Sequence, residues 1–260
     1  MARRLGRKKR PLREVHTLKE QLKIDSGIFD DQTMIYLSKF YNKGVIGRMG
    51  FIIARGKEAE VYVAEAGPAE SVKGAKYVIA KFFRVETSSF LNMTDYVIGD
   101  PRFQKVGRNK HAIVSTWCKK EYGNLEIAKY AGVNAPAPYM FNGTILAMEF
   151  IGDDEGVPAP QLRDVLLENP EEVLDVVLGQ VRKLYLRELV HADLSEYNIL
   201  MKEGKPYFID FGQAVVLRHP NSMAFLHRDV GNVLRYFAKR YGIDRNLEET
   251  LAAVTAPAPG

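Results

Sequence analysis

Cysteine is nearly absent from this chain: among 260 residues only Cys118 carries a thiol. A single cysteine excludes an intrachain disulfide and any cysteine-built zinc site, and it fits a reducing, cytoplasmic setting. Cys118 itself reads as a small buried apolar side chain. Long hydrophobic runs are missing as well. No stretch reaches the roughly 18 apolar residues that a membrane-spanning helix needs. Residues 1–13 hold no apolar core behind their charges, so no secretory signal is expected there. The glycine signatures G-x-G-x-x-G and G-x-x-x-x-G-K-[ST] do not occur, which removes two common phosphate-binding loops. No internal repeat is visible.

Acids are absent from the first thirteen residues, where Arg3, Arg4, Arg7, Lys8, Lys9, Arg10 and Arg13 stand. The net charge is +5, so without these seven cations the rest of the chain is at −2. The basic character therefore belongs to an arm. Such an arm suits a phosphate backbone such as RNA, and it equally suits a disordered, solubilising terminus. The remainder has ordinary globular proportions, 46% hydrophobic and 27% charged.

Residues 31–41 place Met34, Leu37 and Tyr41 at helical spacing, with Gly44 as a stop. Residues 45–66 are rich in β-branched and aromatic side chains and predict two strands around the turn Arg55-Gly56-Lys57-Glu58; residues 77–83 predict a third. The polar stretch 84–111 lacks periodicity, and a connection that long is usually functional or mobile. A helix follows over 113–131, closed by Gly132, then a proline-rich turn over 134–138 and a strand over 144–150. Gly152-Asp153-Asp154 marks a boundary. Beyond it, Asn169-Pro170-Glu171-Glu172 is a helix start with a capping residue and acids at the positive end of the dipole. Residues 199–201 and 207–209 predict a hairpin, and Val230, Val233, Phe237 and Tyr241 another helix. Three regions result: an arm and extension over 1–30, a strand-rich lobe with its leading helix over 31–150, and a mostly helical lobe over 151–260 with a frayed tail. The fold class is α+β, with a cleft between two lobes.

The chemistry concentrates in His191-Ala192-Asp193-Leu194-Ser195-Glu196-Tyr197-Asn198, followed twelve residues later by Asp210-Phe211-Gly212. Phosphoryl transfer needs a carboxylate to orient an attacking hydroxyl, and oxygen ligands for the metal that neutralises nucleotide phosphates. Asp193 suits the first role. Asn198 and Asp210 suit the second, for Mg²⁺ or Mn²⁺. His191 reads as a structural hydrogen-bonding residue, and Gly212 as the residue that permits the backbone turn after the metal ligand. Asp229 is a candidate cap for the last helix and a brace for the catalytic loop. Lys81 lies in an apolar strand where alternation sets Ile79, Lys81 and Phe83 on one face. A charge directed there needs a partner. Nucleotide phosphates and Glu121 would supply it, since Glu121 shares a helix face with Leu125 and Ala128; Glu126 is the fallback. Lys57 and Glu58 occupy the place of a phosphate-covering loop. Met148, Glu149 and Ile151 close the first lobe, where backbone groups of Glu149 and Ile151 could meet an adenine edge. Ser195 stands where typical protein kinases carry a lysine, which leaves the γ-phosphate contact unassigned.

From about Asp31 to Tyr241 the chain resembles the RIO family of atypical protein kinases, most closely its first subfamily. The resemblance is carried by Gly56-Lys57-Glu58-Ala59, Ala80-Lys81, Glu121-x-x-Asn124-Leu125, the 191–198 segment, 209–215, and His219-Pro220 with Phe225-Leu226-x-Arg228-Asp229. It implies a trimmed protein-kinase fold, and no Ala-Pro-Glu triplet follows Gly212. It further implies ATP-dependent serine phosphorylation, autophosphorylation and a role in maturing the small ribosomal subunit, with the basic arm toward pre-ribosomal RNA. In some members phosphate passes to the metal-site aspartate, here Asp210. Ser88, Ser89 and Thr94 are candidates for autophosphorylation. Two other readings stay open: an aminoglycoside-type small-molecule phosphotransferase, and a nucleotide-gated binding scaffold.

Overall fold

The computed structural model describes residues 30–85, 96, 99–103 and 109–257. The basic arm and Ser88, Ser89 and Thr94 lie outside the described residues. Helix α1 (Asp31–Asn42) starts at Asp30, whose carboxylate accepts the Thr33 N–H at 2.7 Å. That bond satisfies one of the donors every helix start leaves over. The helix ends just before Gly44, which takes φ +68°, a conformation cheap only for glycine.

Strands β1 (Ile46–Arg55), β2 (Ala59–Ala66) and β3 (Tyr77–Phe83) follow. Helix α2 (Lys110–Tyr130) comes next, then β4 (Pro138–Asn142) and β5 (Ile145–Glu149). The five strands form one antiparallel sheet in the order β1-β2-β3-β5-β4. Its two faces are both covered, and the pleat decides what each receives. Val78, Ala80 and Phe82 of β3 pack with Met34, Leu37 and Phe40 of α1. Ile79 and Phe83 pack on the opposite side with Val114, Trp117 and Leu125 of α2. Lys81 falls on that second face, paired in register with Val61 and Leu146, so the predicted alternation holds.

The second lobe contains α3 (Pro170–Leu186), β6 (Leu189–Val190), β7 (Ile199–Lys202), β8 (Lys205–Phe208), β9 (Val215–Val216), α4 (Ser222–Tyr241) and α5 (Leu247–Thr255). Val177, Val181 and Leu184 of α3 and Val230, Val233 and Phe237 of α4 are buried in one core. The short ladders position the site. β6 pairs with β9, and β7 with β8, Ile199 opposite Phe208. The 191–198 loop is therefore tied at both ends, by β6 and β7. The 209–214 loop is tied in the same way by β8 and β9.

Several local expectations are corrected. α2 starts at Lys110, with Asn109 accepting the Ala112 N–H at 2.7 Å, because a polar capping side chain outweighs the first apolar residue as a start signal. α4 starts at Ser222, so Asp229 lies inside the helix and caps nothing. Pro170 does open α3, but the Asn169 side chain makes no capping bond. The proline-rich turn leads into β4, with Pro138 as first residue, where a missing N–H is tolerated.

Candidate active site

The buried ammonium of Lys81 donates to both oxygens of Glu121 at 2.8 Å and to Asp210 Oδ1 at 2.9 Å. β3 supplies the lysine and α2 the glutamate, which is wholly buried at one turn's spacing from Leu125. Burial opposes the charge on Lys81, but Asp210 and Glu121 outweigh it and raise its pKa. In return Lys81 holds Asp210 below the usual carboxylate range. A buried charge stripped of its partners costs about 3–5 kcal/mol, so the three groups stand or fall together.

The 191–198 loop is built around one residue of left-handed backbone, Ala192 at φ +63°. Asp229 holds it there. Its buried carboxylate accepts the Ala192 N–H at 2.7 Å and the Leu194 N–H at 3.0 Å. The Arg228 guanidinium donates to the Ala192 carbonyl. Burial lifts the Asp229 pKa to about 7 against the pull of those N–H groups. Asn198 Nδ2 donates to the Asp193 carbonyl at 2.8 Å and to its carboxylate at 3.0 Å. Asp193 is half-buried; burial raises its pKa and the neighbouring charge of Asp210 adds to the rise. The His191 ring lies 4.7 Å from that of Phe211, and its Nε2–H donates to the Ile209 carbonyl at 3.0 Å. Its other nitrogen, Nδ1, is buried and has no hydrogen-bond partner among the described residues. Burial pushes the His191 pKa down to about 4, so the ring is neutral and spans the two loops as a strut.

Asp210 also sits at positive φ, +64°, while Gly212 does not. The turn is therefore carried by the aspartate. What Gly212 supplies is space, because a Cβ there would stand 2.8 Å from the Trp117 indole nitrogen and 3.3 Å from Glu121 Oε2.

Between the lobes lies a cavity of about 580 Å³. Lys57 and Glu58 face it from the β1–β2 tip, Lys81, Asn198 and Asp210 from its depth, and Met148, Glu149 and Ile151 from the connector. Burial, then the charge of Asp210, raises the Glu58 pKa. The Glu149 carboxylate is turned away to accept the Ala137 N–H at 3.0 Å. Glu121 sits behind Lys81, and Asp193 lines an adjoining groove instead. The structure thus brings Lys57, Glu58, Lys81, Met148, Glu149, Ile151, Asn198 and Asp210 to one cavity, and leaves Glu121 behind it and Asp193 beside it.

A model of the RIO domain matches residues 60–250. The chain belongs to the RIO domain family. Two archaeal RIO-type serine/threonine-protein kinases Rio1 are similar to it. That of Haloferax volcanii is 39% identical over 238 residues, covering 91% of this chain and 79% of the relative. That of Thermoplasma acidophilum is 44% identical over 174 residues, covering 67% and 91%. Among solved structures, the Rio2 kinase of Chaetomium thermophilum, as an ADP/Mg²⁺-phosphoaspartate complex, superposes with a TM-score of 0.65 at 19% identity. It covers 87% of this chain and 67% of that one. The RIO kinase fold, with a sheet-built first lobe and a mostly helical second lobe, is thereby shown.

The loop that carries Asp210 has a support that sequence reasoning missed. Lys120, wholly buried, donates to the carbonyls of Gly212 at 2.8 Å and Ala214 at 2.5 Å. Asn124, one turn on, donates to those of Phe211 and Ala214. Arg102 bonds Asn124 Oδ1 at 2.8 Å and is itself held by the buried Asp100. Burial lowers the Lys120 pKa to about 7. Helical spacing held a signal: Lys120 shares the face of Trp117 and Asn124, toward the interior.

Proposed function

We propose that this RIO-family protein kinase transfers the γ-phosphate of ATP to serine, with Asp193 receiving the acceptor hydroxyl. The observation that carries the reading is one constellation: Lys81 between Glu121 and Asp210 at the back of the cavity, beside Asp193 bonded to Asn198. In this reading Glu121 aims Lys81 at the α/β-phosphates, and Lys57 and Glu58 close over them with the backbone of the tip. The connector residues Met148, Glu149 and Ile151 receive the adenine, through main-chain groups at Glu149 and Ile151.

Asp210 and Asn198 fit a hard divalent cation, since both offer oxygen and the Asp210 side chain is 51% exposed toward the cleft. Among the described residues no group of three or more His, Cys, Asp or Glu could hold a metal alone. Phosphate and water oxygens would complete the shell, as Mg²⁺ prefers and Mn²⁺ accepts. When bound, the ion neutralises charge shared between phosphates. Asp193 then orients the hydroxyl and takes up its proton, helped by a raised pKa.

The family resemblance adds autophosphorylation, an ATPase cycle through Asp210 as phosphate acceptor, and cytoplasmic service in small-subunit maturation with RNA on the basic arm. The Rio2 complex with ADP, Mg²⁺ and phosphoaspartate supports the second of these. No helix among the described residues is long and apolar enough to cross a membrane.

Incubation with ATP labelled in the γ-phosphate tests the reading. Label on serine supports kinase chemistry, and acid-labile label on Asp210 or label released as phosphate supports the ATPase cycle. Faster labelling of small aminoglycosides than of protein would favour the small-molecule alternative. ATP binding without any transfer would leave a scaffold.

A further inference from the structure

Asp193 is shared by neither the nucleotide cavity nor Glu121's buried layer; it opens onto a second recess of about 470 Å³. Tyr197 lines both spaces, so the two cavities meet at the 193–198 loop. In-line transfer needs donor and acceptor on opposite sides of the moving phosphorus. With the nucleotide on the Lys81 side, the acceptor enters from the other recess.

The far wall of that recess is one face of α4. Arg235 and Lys239, one turn apart, and Arg240 line it, all three exposed. No carboxylate lies within salt-bridge distance of them among the described residues, and Arg235 bonds only Asn232 Oδ1, at 3.0 Å. The negative end of the α4 dipole accounts for cations in its last turn, Lys239 and Arg240. It does not account for Arg235, which lies further from the end. The rest of the recess is firm. Tyr236 is tied by its hydroxyl to the Leu162 carbonyl at 2.9 Å, and the Arg163 guanidinium lies 4.6 Å from the Tyr197 ring centre.

We propose that this recess is the acceptor-side subsite and takes a polypeptide carrying an acidic side chain within a few residues of the serine. The inference rests on the kinase reading and names its substrate class. A discrete carboxylate matches the forked guanidinium of Arg235 and the ammonium of Lys239. A continuous nucleic-acid backbone fits less well, because Asp193 and Glu196 line the loop side of the same recess and repel a run of phosphates.

The test uses the full chain and three serine peptides that differ only in flanking Glu, Gln or Lys. Both kcat/KM and equilibrium binding by fluorescence anisotropy are read. The wild type should favour the Glu peptide over the Gln peptide by about tenfold at low salt, and by less as salt screens the pairs. Arg235→Glu with Lys239→Glu should invert the order toward the Lys peptide, whereas Arg235→Lys with Lys239→Arg should keep it. A wild-type ratio near one, or the same ratio in the reversed variant, overturns the proposal. So does single-stranded RNA binding that the reversal abolishes while the peptide ratio stands. If peptides bind with the charge order intact but no phosphate is ever transferred, the subsite survives and the kinase reading fails.

Discussion

The β1–β2 tip and the two loops around Asp193 and Asp210 face one cavity, yet they are held by very different means. At the tip, residues 54–57 are exposed, and the turn is closed by a Gly56 N–H bond to the Ala59 carbonyl at 2.9 Å. In the second lobe, Ala192 and Asp210 both occupy left-handed backbone, costing of order 1–3 kcal/mol each. Buried groups offset that cost: Asp229 under Ala192, His191 against Ile209, and Lys120 with Asn124 under residues 211–214. In the proposed mechanism that rigidity falls where a hydroxyl and a metal would be fixed to fractions of an ångström. The exposed tip would fold over the nucleotide.

The largest effect should come from the fixed side. Asp193→Asn keeps the size of the group but removes its ability to take a proton, so transfer should fall by about 10²- to 10⁴-fold. Nucleotide affinity, read with a fluorescent ATP analogue, should hold, because Asp193 does not line the nucleotide cavity. Near wild-type turnover by this variant would remove Asp193 from the role. Asp210→Ala should likewise end metal-dependent turnover; activity that still rises with Mg²⁺ would show that another residue holds the ion.

Next comes the strut. Folding depresses the His191 pKa from 6.5 to about 4. Between those values the unfolded chain binds a proton that the folded chain refuses, so stability falls as the pH drops through that window. The contribution is about 3 kcal/mol over the full range. Asp229, lifted by burial to about 7, gains stability over the same window, so the His191 share is read as a difference: in urea unfolding at pH 7, 5.5 and 4.5 the wild type should lose stability relative to His191→Phe as the pH drops. An equal slope in both proteins would place the acid sensitivity elsewhere.

Lys120→Met should cost about 1–3 kcal/mol, because two buried carbonyls, of Gly212 and Ala214, lose a donor. The Mg²⁺ concentration for half-maximal turnover should rise along with the fall in Tm, since the same carbonyls set the loop that carries Asp210. A lowered Tm with unchanged Mg²⁺ dependence would make Lys120 a plain structural peg.

Much of the fixed side was legible, and the reason is periodicity. Alternation along β3 put Lys81 on the inner face, and i, i+4, i+7 spacing turned Glu121 inward beside Leu125 and Ala128. The hairpin around Lys202 to Lys205 followed from two apolar runs. What stayed hidden was held by contacts distant in sequence. Asp229 was read both as a cap and as a brace for the catalytic loop; the brace holds, and the cap fails because the apolar pattern of α4 becomes clear only at Val230, while Ser222, His227 and Arg228 mask its first turns. Lys120 was not singled out, and only the packing of α2 on residues 211–214 shows what it binds. Gly212 was assigned the right position for the wrong cause, since local rules speak of φ and not of the Trp117 ring.

The smallest effect should come from the exposed tip, and it sharpens the contrast. Lys57 is exposed at the tip and lines the cavity. A solvent-exposed side-chain charge gains only about 0.2–1 kcal/mol from a partner. Lys57→Ala should therefore raise the KM for ATP by no more than about fivefold, leaving Tm and the Mg²⁺ dependence where they were. Thermal melts and ATP titrations of Lys57→Ala and Lys120→Met, run side by side, make the comparison direct. A loss of Tm in the tip variant as large as in the Lys120 variant would mean that the tip is braced as firmly as the loops it faces, and the division between an adaptable wall and a fixed one would fall.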